Sequence, residues 1–248
     1  MSLGLLFDST RCIGCGACSA ACKEANALPL PIEDHTTAYT WTVVEQVNGA
    51  NVRRLCFHCD EPTCASVCPV GALQKTATGP VVYDATRCIG CRYCIMACPF
   101  AVPKYQWDKA IPIVGKCILC AERLGRGLPT ACASVCPTGA TLFGERDALA
   151  REARRRIADS PEGYIDHIYG IEEAGGTSVL MLSKVAFEKL GMKINVPRQP
   201  LPLLTWQILS KVPSFAAVWG VLLFGIHWIT ERREVVQAYE AEQREKER

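Results

Sequence analysis

The residues of this chain that could do chemistry are its cysteines. All sixteen fall between residues 12 and 136, in four groups of four. Cys12, Cys15, Cys18 and Cys22 are spaced C-x2-C-x2-C-x3-C, and Cys88, Cys91, Cys94 and Cys98 repeat that spacing, with Pro99 following. Cys56, Cys59, Cys64 and Cys68, followed by Pro69, widen the middle gap to four residues. Cys117, Cys120, Cys132 and Cys136, followed by Pro137, widen it to eleven. Three thiolates within seven residues let one short loop wrap one face of a cubane cluster, while a fourth cysteine beside a proline points away to the neighbouring cluster. Structural zinc sites use separated pairs and do not need such triplets. Cysteines three apart seldom bridge, because the Cα separation and dihedral of a disulfide are awkward there. Iron–sulfur ligation is the reading the spacing favours, with zinc and disulfides as the weaker alternatives.

Internal repetition points the same way. Asp8-Ser9-Thr10-Arg11-Cys12-Ile13-Gly14-Cys15 recurs as Asp84-Ala85-Thr86-Arg87-Cys88-Ile89-Gly90-Cys91, at an offset of 76. Cys64-Ala65-Ser66-Val67-Cys68-Pro69 recurs as Cys132-Ala133-Ser134-Val135-Cys136-Pro137, at an offset of 68. The fold class this predicts is α+β: duplicated bacterial-type two-[4Fe–4S] ferredoxin modules, an irregular extension and one C-terminal transmembrane helix. The formal charge of +2 excludes a strongly basic nucleic-acid binder. Four oxidised cubanes at roughly −2 each turn it into about −6. Arg11, Arg87 and Lys116 each precede the first cysteine of a group. They compensate cluster charge or are solvated loop bases, and the two readings weigh evenly. His58, between Cys56 and Cys59, could tune a cluster by hydrogen bonding, but an ordinary surface or satisfied histidine is the better expectation.

The elements beyond residue 140 carry no cysteine. Residues 145–158, rich in Ala, Arg and Glu, predict a surface helix, and residues 161–200 read as an extended linker with short apolar runs such as Val179-Leu180-Met181-Leu182. Val212 to Ile229 holds no Asp, Glu, Lys or Arg. Eighteen helical residues span about 27 Å, just short of a bilayer core, and Leu201 to Leu209 could extend them. A transmembrane helix is therefore expected over 201–230, followed by a charged tail over 231–248. His227, near the end of the apolar stretch, is the candidate for contact with a quinone or a haem propionate, against a merely solvated side chain.

On these residues the chain resembles the four-cluster electron-transfer subunits of membrane oxidoreductases. That family includes the β subunit of formate dehydrogenase-N and the ferredoxin-like subunit of the periplasmic, quinone-reducing nickel–iron hydrogenase. The resemblance also rests on Ser2 to Thr10, Gly90-Cys91-Arg92-Tyr93-Cys94, Val102-Pro103-Lys104-Tyr105 and Tyr169 to Thr177. The opening and the Val-Pro-Lys-Tyr element look more like the hydrogenase branch. Carried over, the resemblance implies four ligand sets: Cys12, Cys15, Cys18 and Cys136; Cys22, Cys117, Cys120 and Cys132; Cys56, Cys59, Cys64 and Cys98; Cys68, Cys88, Cys91 and Cys94. No cysteine is replaced, so four [4Fe–4S] clusters are expected. Module 1 then comprises residues 1–50 and 110–145, with module 2 (51–109) inserted and 146–200 as helix and linker. Cys22 is followed by Lys23 where the other groups have proline, so the exit turn there should differ.

The expected function is an electron wire without substrate chemistry of its own. It would join a hydrogenase catalytic subunit to the quinone pool or to an integral membrane quinone-reactive or cytochrome b subunit. The β subunit of a formate dehydrogenase or other molybdenum enzyme is the alternative, and a membrane-anchored zinc module the remote one. A self-contained cluster enzyme would need an open iron held by three cysteines, and all four groups are complete. Arg232, Arg233, Arg244, Lys246 and Arg248 follow the apolar stretch, against Lys193, Arg198 and Lys211 in the twenty residues before Val212. That bias places the C-terminus in the cytoplasm and the cluster domain in the periplasm. Met1 to Thr10 shows no signal peptide, so export attached to a signal-bearing partner is expected.

Overall fold

A computed structural model describes residues 2–246. It divides into two compact units, Met1–Pro202 and Leu203–Arg248.

The first unit is built on a three-stranded sheet ordered β8-β1-β9, in which β1 (Leu3–Asp8) runs antiparallel to β8 (Thr141–Glu145) and parallel to β9 (Val179–Leu182). Alternation along β1 decides what each face does, because successive side chains point to opposite sides. Leu5 and Phe7 pack with Leu55, Phe57, Leu119 and Cys132 on the cysteine side. Leu6 packs on the other side with Leu149, Ala150, Ala153, Leu180 and Leu182. The helix contributing Leu149 to Ala153 is α6 (Arg146–Asp159), which the sequence predicts correctly as a helix with a solvated face. Its inner face also carries Arg156, whose Nη1 lies 2.7 Å from Asp8 Oδ2 on β1.

The rest of the first unit is loops, short helices and three two-stranded hairpins. These are β2 (Val43–Val47) with β3 (Ala50–Arg54), β4 (Leu73–Lys75) with β5 (Val81–Tyr83), and β6 (Lys104–Tyr105) with β7 (Val114–Gly115). The module border expected at 50/51 falls within β3, and that at 109/110 in the connection between β6 and β7.

One expectation is corrected. Residues 161–200 are not an extended linker: β9 is buried along its whole length and completes the central sheet beside β1. Glycine-rich flanks (Gly170, Gly175, Gly176) gave the segment the composition of a loop, whereas a strand buried on both faces shows only a short unbroken apolar run.

The second unit is helical. α7 (Leu201–Leu209) and α8 (Val212–Lys246) are interrupted where Pro213, lacking an N–H, cannot donate to Leu209. Together they make one helix long and apolar enough to cross a membrane, a candidate anchor with its apolar side chains exposed. The charged tail expected from 231 onward is helical to Lys246, carried by pairs one turn apart such as Lys246 with Glu242 at 2.7 Å and Arg244 with Glu240 at 3.7 Å. Arg248 lies outside the described residues.

Candidate iron–sulfur centres

Four loops hold the first two cysteines of each group, and all four are bent alike. The residue just before the second cysteine is left-handed in every case: Gly14 (φ 72°), His58 (φ 51°), Gly90 (φ 71°) and Leu119 (φ 53°). This turns the intervening amides toward the sulfur. The N–H groups of Gly90 and Leu119 each donate at 3.4 Å to the Sγ of Cys88 and Cys117. Two of the four positions hold non-glycine residues, at a cost of about 1–2 kcal/mol each, which the bend required by the loop explains.

The third and fourth cysteines follow a second rule. Cys18 and Cys22 lie one helical turn apart on α1 (Ala17–Ala25). Cys64, Cys94 and Cys132 lie on the short helices α2 (Thr63–Ser66), α3 (Tyr93–Ala97) and α5 (Ala131–Ser134), each with its fourth cysteine four residues further on. A spacing of four advances the chain by about 6 Å on the same side, enough to hand successive thiols to two adjacent centres. After Cys68, Cys98 and Cys136 a proline follows; after Cys22, Lys23 lets α1 run on to Ala25. The different exit expected there is present. Lys23 turns inward, its Nζ donating to the carbonyls of Pro29 (2.6 Å) and Tyr39 (3.1 Å) and pairing with Glu33 at 3.2 Å.

Cys12, Cys15, Cys18 and Cys136 line one cavity, and Cys22, Cys117, Cys120 and Cys132 line another. Burial and then the charges of Cys56, Cys98 and Cys64 push the Cys59 thiol up. Burial, followed by Cys88, Cys91 and Cys68, pushes Cys94 up to about 11. Across the sets, Cys22 is pushed up to about 12 by burial, with Cys132, Cys120 and Cys18 adding to it. Cys56 acts on Cys117, and Cys94 on Cys64. These neighbours join the set expected at Cys12 to that at Cys22, that at Cys22 to that at Cys56, and that at Cys56 to that at Cys88. Such burial favours protonated thiols, and only bound metal turns them into thiolates. Cys68 and Cys136 shift the other way. Burial raises them too, but backbone N–H donors win and lower both, with Ala72 at 3.2 Å and Thr141 at 3.4 Å among them.

The basic residues separate into two kinds. Arg11 and Arg87 are solvent-facing and pair with Asp8 (3.5 Å) and Asp84 (3.3 Å) three residues earlier. Their aspartates each accept both the backbone N–H and the hydroxyl of the following threonine: 3.0 and 2.6 Å at Asp8, 2.9 and 2.6 Å at Asp84. The repeated Asp-x-Thr-Arg is thus a repeated turn delivering the chain into a cysteine loop. Lys116, by contrast, is buried, with its Nζ on the carbonyls of Val81 and Cys117, and its charge favours the thiolates of Cys64 and Cys98.

His58 departs from the ordinary histidine expected. It is wholly buried, its Nδ1 accepts the Val81 N–H at 2.8 Å, and its Nε2 has no partner. The acceptor role at Nδ1 puts the proton on Nε2. Burial, with the charges of Lys116 and Lys75, keeps the ring neutral. Sequence reasoning missed Lys75, whose Nζ binds the carbonyls of His58 (3.0 Å) and Cys59 (2.8 Å), and Arg53, buried beside Cys132, Cys18 and Cys117. A basic pair at 53–54 immediately before Leu55-Cys56 was the available signal. His227 lies on α8 with its side chain exposed, 3.9 Å from Glu231.

Four bent loops, ligand-lined cavities and an unpartnered N–H beside Cys56 and Cys59 fit cubane clusters, and define a ferredoxin carrying two pairs of them. A 4Fe-4S dicluster domain matches residues 11–72, and a second 4Fe-4S dicluster domain matches residues 47–146. A protein of Nitratidesulfovibrio vulgaris is 42% identical over 96% of this chain and 70% of its own length. The hydrogenase-2 operon protein HybA of Escherichia coli O157:H7 is 37% identical over 77% of this chain and 73% of its own. The formate dehydrogenase iron-sulfur subunit of Haemophilus influenzae is 32% identical over 93% and 81%. The chain belongs to the family of ferredoxin-like electron-transfer subunits, and its sixteen cysteines serve four [4Fe–4S] clusters.

Proposed function

We propose that this chain is the electron wire of a membrane-bound hydrogenase complex, with the four ligand sets listed by residue above. The line of four thiol sets carries the reading. One-electron transfer is the chemistry the clusters supply when bound. The protein's own residues fix their spacing: helical turns bind neighbouring centres together, and the two-module arrangement shares each turn between a pair. The end sets, at Cys15 and at Cys88 to Cys94, lie beside exposed Ile13 and beside exposed Ile89, Tyr93 and Met96. Electrons enter at one end and leave at the other for quinone or for an integral membrane subunit, with His227 of the apolar helix as the candidate for contact with quinone or a haem propionate.

The higher identity to HybA supports a nickel–iron hydrogenase as catalytic partner. A formate dehydrogenase or another molybdenum enzyme is the second reading, favoured by the longer coverage of the formate dehydrogenase subunit. The candidate anchor and the basic residues after it support a cluster domain on the periplasmic side, anchored in the lipid bilayer with its C-terminus in the cytoplasm. Purification of the native complex tests the partner: a copurifying hydrogenase large subunit is expected, and a molybdopterin subunit would transfer the wire to the second reading. A C-terminal reporter active only in the periplasm would reverse the orientation.

A further inference from the structure

Arg53 is the largest fully buried side chain of the described protein, and it has no carboxylate partner among the described residues. Its neighbour Arg54 pairs with Glu45 at 2.8 Å, and the buried Arg156 pairs with Asp8 and Glu152. Arg53 instead donates through Nε to Thr42 Oγ1 and through Nη1 to Thr141 Oγ1, both at 3.0 Å, and Nη2 is left with no partner. Arg53 and Thr42 line the cavity of Cys22, Cys117, Cys120 and Cys132. Thr141 lines the adjoining cavity of Cys12, Cys15, Cys18 and Cys136. Two neutral hydroxyls do not balance a charge whose removal from water costs several kcal/mol. The fold meets that cost only if an anion stands beside Nη2, and a cubane with four thiolates is one.

We propose that Arg53 is the internal counter-ion of the cluster held by Cys22, Cys117, Cys120 and Cys132, and that it raises the reduction potential of that cluster. The inference rests on the ligand assignment above. Reduction adds one electron and one negative charge to the cluster and takes no proton from Arg53, which stays charged throughout. A fixed positive charge in a water-poor site stabilises the more negative, reduced form. Thr42 and Thr141 are positioning residues, holding the guanidinium plane toward the sulfurs.

The test is a redox titration followed by EPR on the intact complex, comparing the unmodified chain with Arg53→Gln and Arg53→Lys. The Gln variant should lower one of the four midpoints by the equivalent of a tenfold shift in the reduction equilibrium, about 59 mV for one electron, and the neighbouring cluster by less. The Lys variant, which keeps the charge, should restore most of that. A Gln variant with about 16 iron and four unmoved midpoints overturns the proposal. Should Gln lose a cluster, Lys decides: restored iron and midpoint support the counter-ion, and equal loss in both variants overturns it in favour of a packing role. The unmodified protein separates this from the ligand assignment, which fails if fewer than four [4Fe–4S] signals are found there, whatever Arg53 does.

Discussion

At Asp8 one carboxylate answers to Thr10, Tyr164 and Arg156, all within 3.0 Å, while it is itself wholly buried. Removing it by Asp8→Ala leaves Arg156 with Glu152 of its own helix as its one remaining carboxylate among the described residues. The expected loss is about 1–3 kcal/mol, seen as a lower apparent unfolding temperature, whereas Asp84→Ala at the exposed repeat should shift it far less. Side-chain burial also explains what the sequence left undecided. Three bases precede cysteine groups, and adjacency alone cannot say which face of the chain each occupies. Arg11→Gln and Arg87→Gln should leave all four cluster midpoints unchanged in redox titration, while Lys116→Met should lower that of the Cys56 set. A shift in the first two variants of equal size would show that exposed charge matters as much as buried charge here. Arg53 and Lys75 were less legible for a related reason: Arg53 faces cysteines of other groups, which it reaches through a hairpin register such as Val44 opposite Arg53.

Secondary elements translate cysteine spacing into geometry. The x2 gap becomes a left-handed bend, and the x3 gap becomes one turn of helix. Both were written in the sequence as spacing, and Gly14 and Gly90 marked the bend where glycine was used. Substituting alanine at Gly14 forces a Cβ to within 3.0 Å of Asn51 Oδ1 in a conformation that L-residues disfavour. Gly14→Ala should therefore cost about 1–2 kcal/mol and lower iron occupancy at the Cys12 set, measured as iron per chain and by loss of one EPR signal. Unchanged iron would mean that the loop has another way round the cluster. Strand β9 was less legible, since four consecutive apolar residues read the same in a loop packed on a partner as in a sheet. Only the parallel register Leu5 to Val179 through Asp8 to Leu182 distinguishes them.

At the scale of the molecule, the proposed wire makes its inner members indispensable. Cys117 is half-buried and is acted on both by Cys22 and Cys132 and by Cys56. Cys117→Ser should reduce iron from about 16 to about 12 per chain and stop through-transfer to quinone, while the catalytic partner still reduces an artificial dye. Retained quinone reduction would show that the line of sets is not the route. The candidate anchor stands apart as a unit, so a chain ended at Pro202 should keep its clusters and lose membrane partitioning, read by fractionation and iron content. Continued membrane association would assign the anchoring to the first unit.

The central strand of the sheet precedes every cysteine in the sequence, and its two neighbours follow the last of them. β1 begins at Leu3, β8 at Thr141 and β9 at Val179. All sixteen cysteines lie in the chain that joins β1 to β8, so β1 has no partner strand until every ligand has been synthesised. The pairing of β1 with β8 thus ties off the loop of chain that carries every ligand.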